Sequence, residues 1–365
     1  MYPFRYAVLV CGVFALSAPV FAAPAEPFGQ EKVEVRPPRN PKTTPKAHTH
    51  RHGKTGHAHG PQDHRHIPGQ ADSGHPHRHD HGHDHRHGSA HQHGTETENL
   101  FGFTLGSDTE EAGAIGIAFE TVGRFGKRDG AYTGIGKKLE LSYGVTDDLS
   151  VALGLLTNYH RVAGVTGLED IHEFNFNGVG SELRWRLAKR GPNPVGVTLH
   201  IEPSVQRHDE LTGQRATKYG AENKLIFDAE VVKDRIFAAF NLLYEVERVR
   251  ERGSPDWENS SKLGVTAAAT VQVAAQAFLG AEVRYLRAYE GLMPQTFIGD
   301  ATFAGPTLFW HFAKNAWIAA AWNVQVAGRE VDNTARFDLA NFERHQARLK
   351  IGIEFEPAPA PQLRK

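Results

Sequence analysis

From about Leu100 onward, apolar and polar positions alternate along the chain with a period of two. That is the spacing at which successive strand side chains point to opposite faces of a sheet. In Arg348-Leu349-Lys350-Ile351-Gly352-Ile353-Glu354-Phe355 the odd positions are all apolar and the even ones polar or small. Glu182-Leu183-Arg184-Trp185-Arg186-Leu187 divides in the same way. Ile318, Ala320, Trp322, Val324 and Val326 form a row against Ala319, Ala321, Asn323 and Gln325. Ile236, Ala238, Phe240, Leu242, Tyr244 and Val246 stand opposite Asn241, Glu245 and Glu247. Short turns are predicted at 146–148, 189–194, 232–234, 273–276 and 313–315, with longer polar connections at 161–173, 207–219, 250–260 and 329–344. Alternating short and long connections suit a barrel with periplasmic turns and extracellular loops. With Ala114–Arg124 as the first strand and His345–Phe355 as the last, the pattern gives about twelve strands. The predicted fold class is therefore all-β: an antiparallel transmembrane β-barrel, preceded by a disordered N-terminal segment. An even count returns both ends of the barrel to the periplasmic side.

The alternative is a soluble sandwich or lipocalin-like barrel, whose apolar face points inward. Alternation alone does not say which face is which. The charges do: Glu182, Arg184, Arg186, Arg348 and Lys350 all fall on the polar rows. A packed soluble core would bury them at high cost, whereas a wet lumen accommodates them. Tyr143, Trp185, Tyr244, Tyr285, Trp310 and Trp322 fall on the apolar rows, where girdles at the membrane interface use such residues. The same lumen row carries His200 and Glu202, read either as a pore constriction or as solvated strand residues.

Targeting signals agree with a membrane barrel. Arg5 precedes the apolar run Ala7–Leu16, and Val20-Phe21-Ala22 offers a cleavage point, so residues 1–22 read as a signal peptide. The run is too short to span a bilayer as a helix, which takes roughly 20 residues. Cys11 is the only cysteine and lies inside that run, so the mature chain is expected to have no intramolecular disulfide. Mean hydropathy is −0.45, which fits strands that alternate between lipid and lumen. A net charge of −1 gives no case for nucleic acid as a partner.

Residues 23–97 cannot build a core: Pro, Gly, Lys, Arg, Asp and His dominate, and the stretch reads as a disordered arm. Residues 98–112 connect it to a barrel over 113–356, with a tail at 357–365. Within the connection, Phe101–Asp108 also alternates apolar residues. It is read either as an extra strand, which breaks the even count, or as a piece folded into the lumen.

Sixteen of the 22 histidines lie between His48 and His93. The densest part supplies His75, His77, His79, His81, His83, His85 and His87, with Asp80 and Asp84 between them. Neutral imidazole is a good ligand for Zn, Cu, Ni and Co, and rings at every second position of a flexible chain can converge without a pre-folded pocket. No cofactor is required by this chemistry; several exchangeable sites for divalent metal are expected. No nucleophilic cysteine, phosphate-binding glycine loop or His-Glu-x-x-His helix follows, so an enzyme is not expected.

The stretch Leu141-Ser142-Tyr143-Gly144-Val145-Thr146-Asp147-Asp148-Leu149-Ser150-Val151 resembles the hairpin of outer-membrane proteins of the meta-pathway phenol-degradation type. The resemblance implies a porin-like barrel over residues 101–355 passing small, often aromatic, compounds. The histidine arm is not part of that pattern. The function expected from sequence is an outer-membrane channel or transporter whose periplasmic arm binds divalent transition metal, with outer-membrane lipid and small solutes as its other partners. The alternatives are a non-conducting barrel anchoring a metal-sequestering tail, and an uptake porin for small organic solutes with an incidental arm.

Overall fold

The computed structural model describes residues 95–331 and 333–356. The signal peptide, the arm ligands His75, His77, His79, Asp80, His81, His83, Asp84, His85 and His87, and the tail 357–365 lie outside the described residues.

Twelve strands follow one another in the chain. They are β1 (Ile115–Phe125), β2 (Ala131–Thr146), β3 (Leu149–Ala163), β4 (Ile171–Ala188), β5 (Gly196–His208) and β6 (Arg215–Val232). Then come β7 (Ile236–Glu251), β8 (Glu258–Ala274), β9 (Ala277–Glu290), β10 (Thr296–Ala313), β11 (Ala316–Glu330) and β12 (His345–Phe355). Each pairs antiparallel with its sequence neighbours, and β1 pairs with β12 from Ile115↔Phe355 to Phe125↔His345, closing the barrel. Closure leaves no unpaired edge. Both ends of the barrel chain meet at the rim formed by the short turns.

The apolar rows face outward. Leu153 is 68 % exposed, and Ile117, Phe119, Leu141, Leu155, Leu242, Leu279, Trp322 and Ile353 stand with it on the outer surface. The residues between them on each strand are buried: Ala319, Ala321, Asn323 and Gln325 on β11, and Arg348 and Lys350 on β12. On β4 the outward aromatics Phe176 and Trp185 are nine residues apart. At about 3.3 Å per residue and a tilt of about 40°, that separates two girdles by roughly 23 Å, close to the apolar height of an outer-membrane barrel.

The strands run further than their alternation indicated. The segments predicted as long loops are partly strand: the connections after β3, β5 and β7 are only 164–170, 209–214 and 252–257. Beyond the apolar girdle the outward face turns polar, with His172, Arg248 and Arg250, so the period-two signal stops while the ladder continues.

Candidate functional site

The inside of the barrel is filled at its short-turn end. Residues 95–112 enter from the short-turn rim, and a compact loop at 97–108 occupies the space between the strands. The loop closes on itself: Thr97 donates through N and Oγ1 to Asp108 Oδ2 at 3.0 and 2.9 Å, and Gly106 N donates to Glu98 O at 3.1 Å. Apart from the local bridge Phe101↔Thr104 it joins no ladder, so it is a lumen segment and not a thirteenth strand.

Side chains from around the wall hold its backbone. Glu282 on β9 accepts from Thr104 N at 2.9 Å, Thr104 Oγ1 at 3.0 Å and Phe103 N at 3.2 Å, and is itself steadied by Asn323 Nδ2 at 2.8 Å. Asn241 on β7 imitates a strand partner for Leu105, accepting from its N at 2.8 Å and donating to its O at 2.9 Å. Asp228 on β6 accepts from Ser107 N at 3.1 Å and Ser107 Oγ at 2.6 Å. Arg184 on β4 donates to the carbonyls of Gly106 and Asp108 at 2.6 and 2.9 Å, and Arg348 on β12 donates to Gly102 O. The tip needs glycine: at Gly102 φ is +85°, and an added Cβ would come within 3 Å of Thr307, Ala321 and Glu282. On one side Leu100 and Phe101 insert into an apolar collar of Phe237, Phe278, Phe309 and Trp317.

Charge complements shape. The segment carries Glu96, Glu98, Asp108, Glu110 and Glu111 and no basic residue, and it faces Arg184, Arg186, Arg190, Arg348 and Lys350. Arg190 Nη2 reaches Asp108 Oδ2 at 2.9 Å, while Arg190 Nη1 reaches Asp228 at 2.6 Å. Burial pushes the carboxyls of Glu96, Glu98 and Glu110 above the ordinary range; neighbouring carboxylates add to the rise, while Arg184 and Lys350 oppose it at Glu98. A group whose pKa is higher docked than free favours docking below its free pKa, and that contribution is lost as pH rises through the docked value. Docking of the plug is therefore expected to loosen as pH rises from the ordinary carboxylate range through the raised docked values. Hydrogen exchange of amides 97–108, corrected for the intrinsic pH dependence, should show protection falling across that interval.

At the long-loop end two connections turn inward. Phe342 packs on Phe303 with Leu286, Ala288 and Ala301, and Asp338 is wholly buried beneath Gly299 and Gln325. In the 209–214 loop Glu210 bonds Arg124 at 3.0 Å and Gln206 at 2.9 Å. Lys218 and Arg124 hold its carboxyl below the usual range. Between the loops and the plug lie the inward ion pairs of Lys262 with Glu245 at 2.9 Å, Arg348 with Glu120 at 2.6 Å and Lys350 with Glu140 at 3.1 Å.

These contacts correct the expectation that water accommodates Glu182, Arg184, Arg186, Arg348 and Lys350: each is met by an opposite charge or a plug carbonyl. His200, expected as a constriction or solvated residue, is only 1 % exposed and is therefore not solvated. Sequence reasoning missed the docking acceptors Glu282 and Asp228. A connecting segment with acids and no bases, opposite inward rows that hold arginine and lysine, signals basic partners such as Arg184 and Arg348 but not these carboxylates.

Comparison with known proteins gives a family and several barrels. The family model described as a family of unknown function, DUF6662, matches residues 93–355. No curated protein matches. Among solved structures, the chain is similar to the COG4313 outer membrane channel from Pseudomonas putida F1, at 12 % identity and a TM-score of 0.48, over 68 % of this chain and 98 % of that one. It is similar to the NanC porin at 13 % identity and a TM-score of 0.38, over 66 % and 99 % of the two chains. The CymD monoaromatic hydrocarbon channel gives 10 % identity and a TM-score of 0.36, over 67 % and 88 %.

Proposed function

The chain belongs to a family of unknown function, DUF6662, and for it we propose an outer-membrane channel closed from the periplasmic side by its own residues 95–112. The observation that carries this reading is the way the plug is held. Its backbone bonds either locally, within the segment and to Ala114 just after it, or to side chains, and not to the strands, so it can leave without breaking the barrel's ladder. The outward belt between two aromatic girdles supports placement in lipid, because an apolar surface of that extent is unfavourable in water. Outward arginines at the long-loop rim, Arg207, Arg215, Arg250 and Arg252, suit the anionic headgroups of an outer leaflet. That orientation puts the short turns and the plug's point of entry in the periplasm.

The inward rows hold Glu, Lys, Arg and His, which favours a polar or charged solute over the aromatic compounds implied by the hairpin resemblance. The histidine arm joins the plug at Thr95, whose carbonyl accepts from Arg190 Nη2 at 2.9 Å on the short-turn rim. We take the arm as a periplasmic collector of divalent metal whose loading acts on the plug through that junction. In planar bilayers Zn or Cu is expected to change the conductance of the full chain and to leave a version lacking residues 48–94 unaffected. If neither version conducts while the arm still binds metal, the barrel is an anchor for a sequestering tail and the channel reading fails.

A further inference from the structure

Glu182 on β4 and His200 and Glu202 on β5 lie together on the inner wall. The register from Gly180↔Ser204 to Leu183↔Ile201 sets Glu182 opposite Glu202, with His200 across from Arg184 one pleat further on. Each of the three offers a ligand atom, and those atoms lie within 4.8 Å of one another. His200 Nε2 is 3.4 Å from Glu182 Oε1 and 3.9 Å from Glu202 Oε2. Ligands bound at 2.0–2.2 Å to one tetrahedral ion stand about 3.4 Å apart; the His200–Glu182 spacing matches this, and the 3.9 Å from His200 to Glu202 is brought to it by a small side-chain shift.

The ring itself points to a ligand. His200 is 1 % exposed; its Nδ1 has no hydrogen-bond partner among the described residues, and its Nε2 lies 3.4 Å from Glu182 Oε1 without the geometry of a hydrogen bond. A buried ring nitrogen without a partner is costly, and Nε2 is aimed between two carboxylates. We propose that Glu182, His200 and Glu202 form a binding site for one divalent first-row transition-metal ion inside the barrel. Imidazole with two carboxylates suits Zn, Mn, Fe, Co, Ni or Cu. The site requires the closed barrel and does not depend on whether the channel conducts.

Lys138 is built into this site as a competitor. It crosses β3 at Gly154, where an added Cβ would meet its Cγ and Cδ at 3.0 Å. Its Nζ then stands 2.8 Å from Glu202 Oε1 and 3.7 Å from Glu182 Oε2. The same ammonium is 2.6 Å from Glu140. An arriving ion replaces one charge by two between Glu182 and Glu202, and Lys138 keeps Glu140 as its partner. The lysine thus stabilises the metal-free wall and sets a threshold concentration for the ion.

The test is positional, so that metal on the arm does not obscure it. Crystals of the full chain are soaked in cobalt chloride and anomalous difference density is recorded at the cobalt edge. A peak bonded to His200 Nε2 and to the carboxylates of Glu182 and Glu202 is expected. It should vanish in His200→Ala and reach half occupancy at about tenfold lower cobalt in Lys138→Met, because a competing full charge is removed. No peak among the three residues in the unmodified chain overturns the site, and so does a peak that persists in His200→Ala. Equal cobalt dependence in Lys138→Met overturns the role given to the lysine.

Discussion

Glu282→Ala is expected to free the tip of the plug while leaving the barrel closed. The carboxylate is buried and accepts two backbone amides and a hydroxyl from the plug, besides the amide of Asn323. Removing it strands those donors in a site with no replacement acceptor. Hydrogen bonds to a charged group contribute about 1.5–3 kcal/mol each, and a stranded donor costs a comparable amount. A net loss of about 3 kcal/mol from docking corresponds to roughly a hundredfold rise in the undocked fraction. Hydrogen exchange reads this directly. The amides of Phe103, Thr104 and Leu105 should exchange about a hundredfold faster in the variant. Strand amides such as those of β1 and β12 should keep their protection, since the ladder between them does not involve Glu282. Equal loss of protection in the strands would mean that the plug is part of the barrel's own stability and not a removable element.

Leu153→Arg is expected to destabilise the barrel in a lipid bilayer by about 2–4 kcal/mol, the cost of a charge on the lipid face near mid-membrane. Leu153 lies midway between the levels of Trp185, opposite Leu149, and Phe176, opposite Thr157, and its partners Leu141 and Ser181 continue the wall on either side. Folding equilibria in phospholipid vesicles against denaturant measure the change. A soluble barrel would tolerate arginine at so exposed a position, with a change inside about 0.5 kcal/mol. The same substitution therefore separates the two environments. Aromatic girdles and the exposed belt together place the expected result at the membrane end.

Most of the wall was legible in the sequence, and the reason is local. A residue between lipid and a charged interior gives a clean period-two signal, as in Leu349, Ile351 and Ile353 against Arg348 and Lys350. The pattern weakens where the environment stops alternating. On β7 to β11 near the short turns both faces are apolar, because Phe237, Phe278, Phe309 and Trp317 cover the plug from within. Beyond the girdle both faces are polar, so the strand ends at Arg250 and at His172 read as loop. The plug was only half legible. Phe101 to Asp108 alternates like a strand because Leu100, Phe101 and Leu105 must reach apolar wall while the backbone faces acceptors. Nothing local distinguishes that demand from pairing in a sheet. What binds it, Glu282 and Asp228, lies more than a hundred residues away in the chain, beyond the reach of any periodicity. The pairing of Glu182 with His200 and Glu202 was partly visible: His200 and Glu202 share a row two residues apart. Their meeting with Glu182 depends on the β4–β5 register, which only the fold supplies.

The proposed function rests on residues 95–112 closing a channel. Single-channel conductance in planar bilayers of the full chain, set beside a chain that begins at Gly113, tests it most directly. The shorter chain is expected to show steady, ohmic conductance through a lumen lined by Arg184, Arg348 and Glu282, and the full chain brief openings or none. Equal conductance in the two, or none in either, would contradict the account: in the first case the plug does not close the pore, and in the second there is no pore to close.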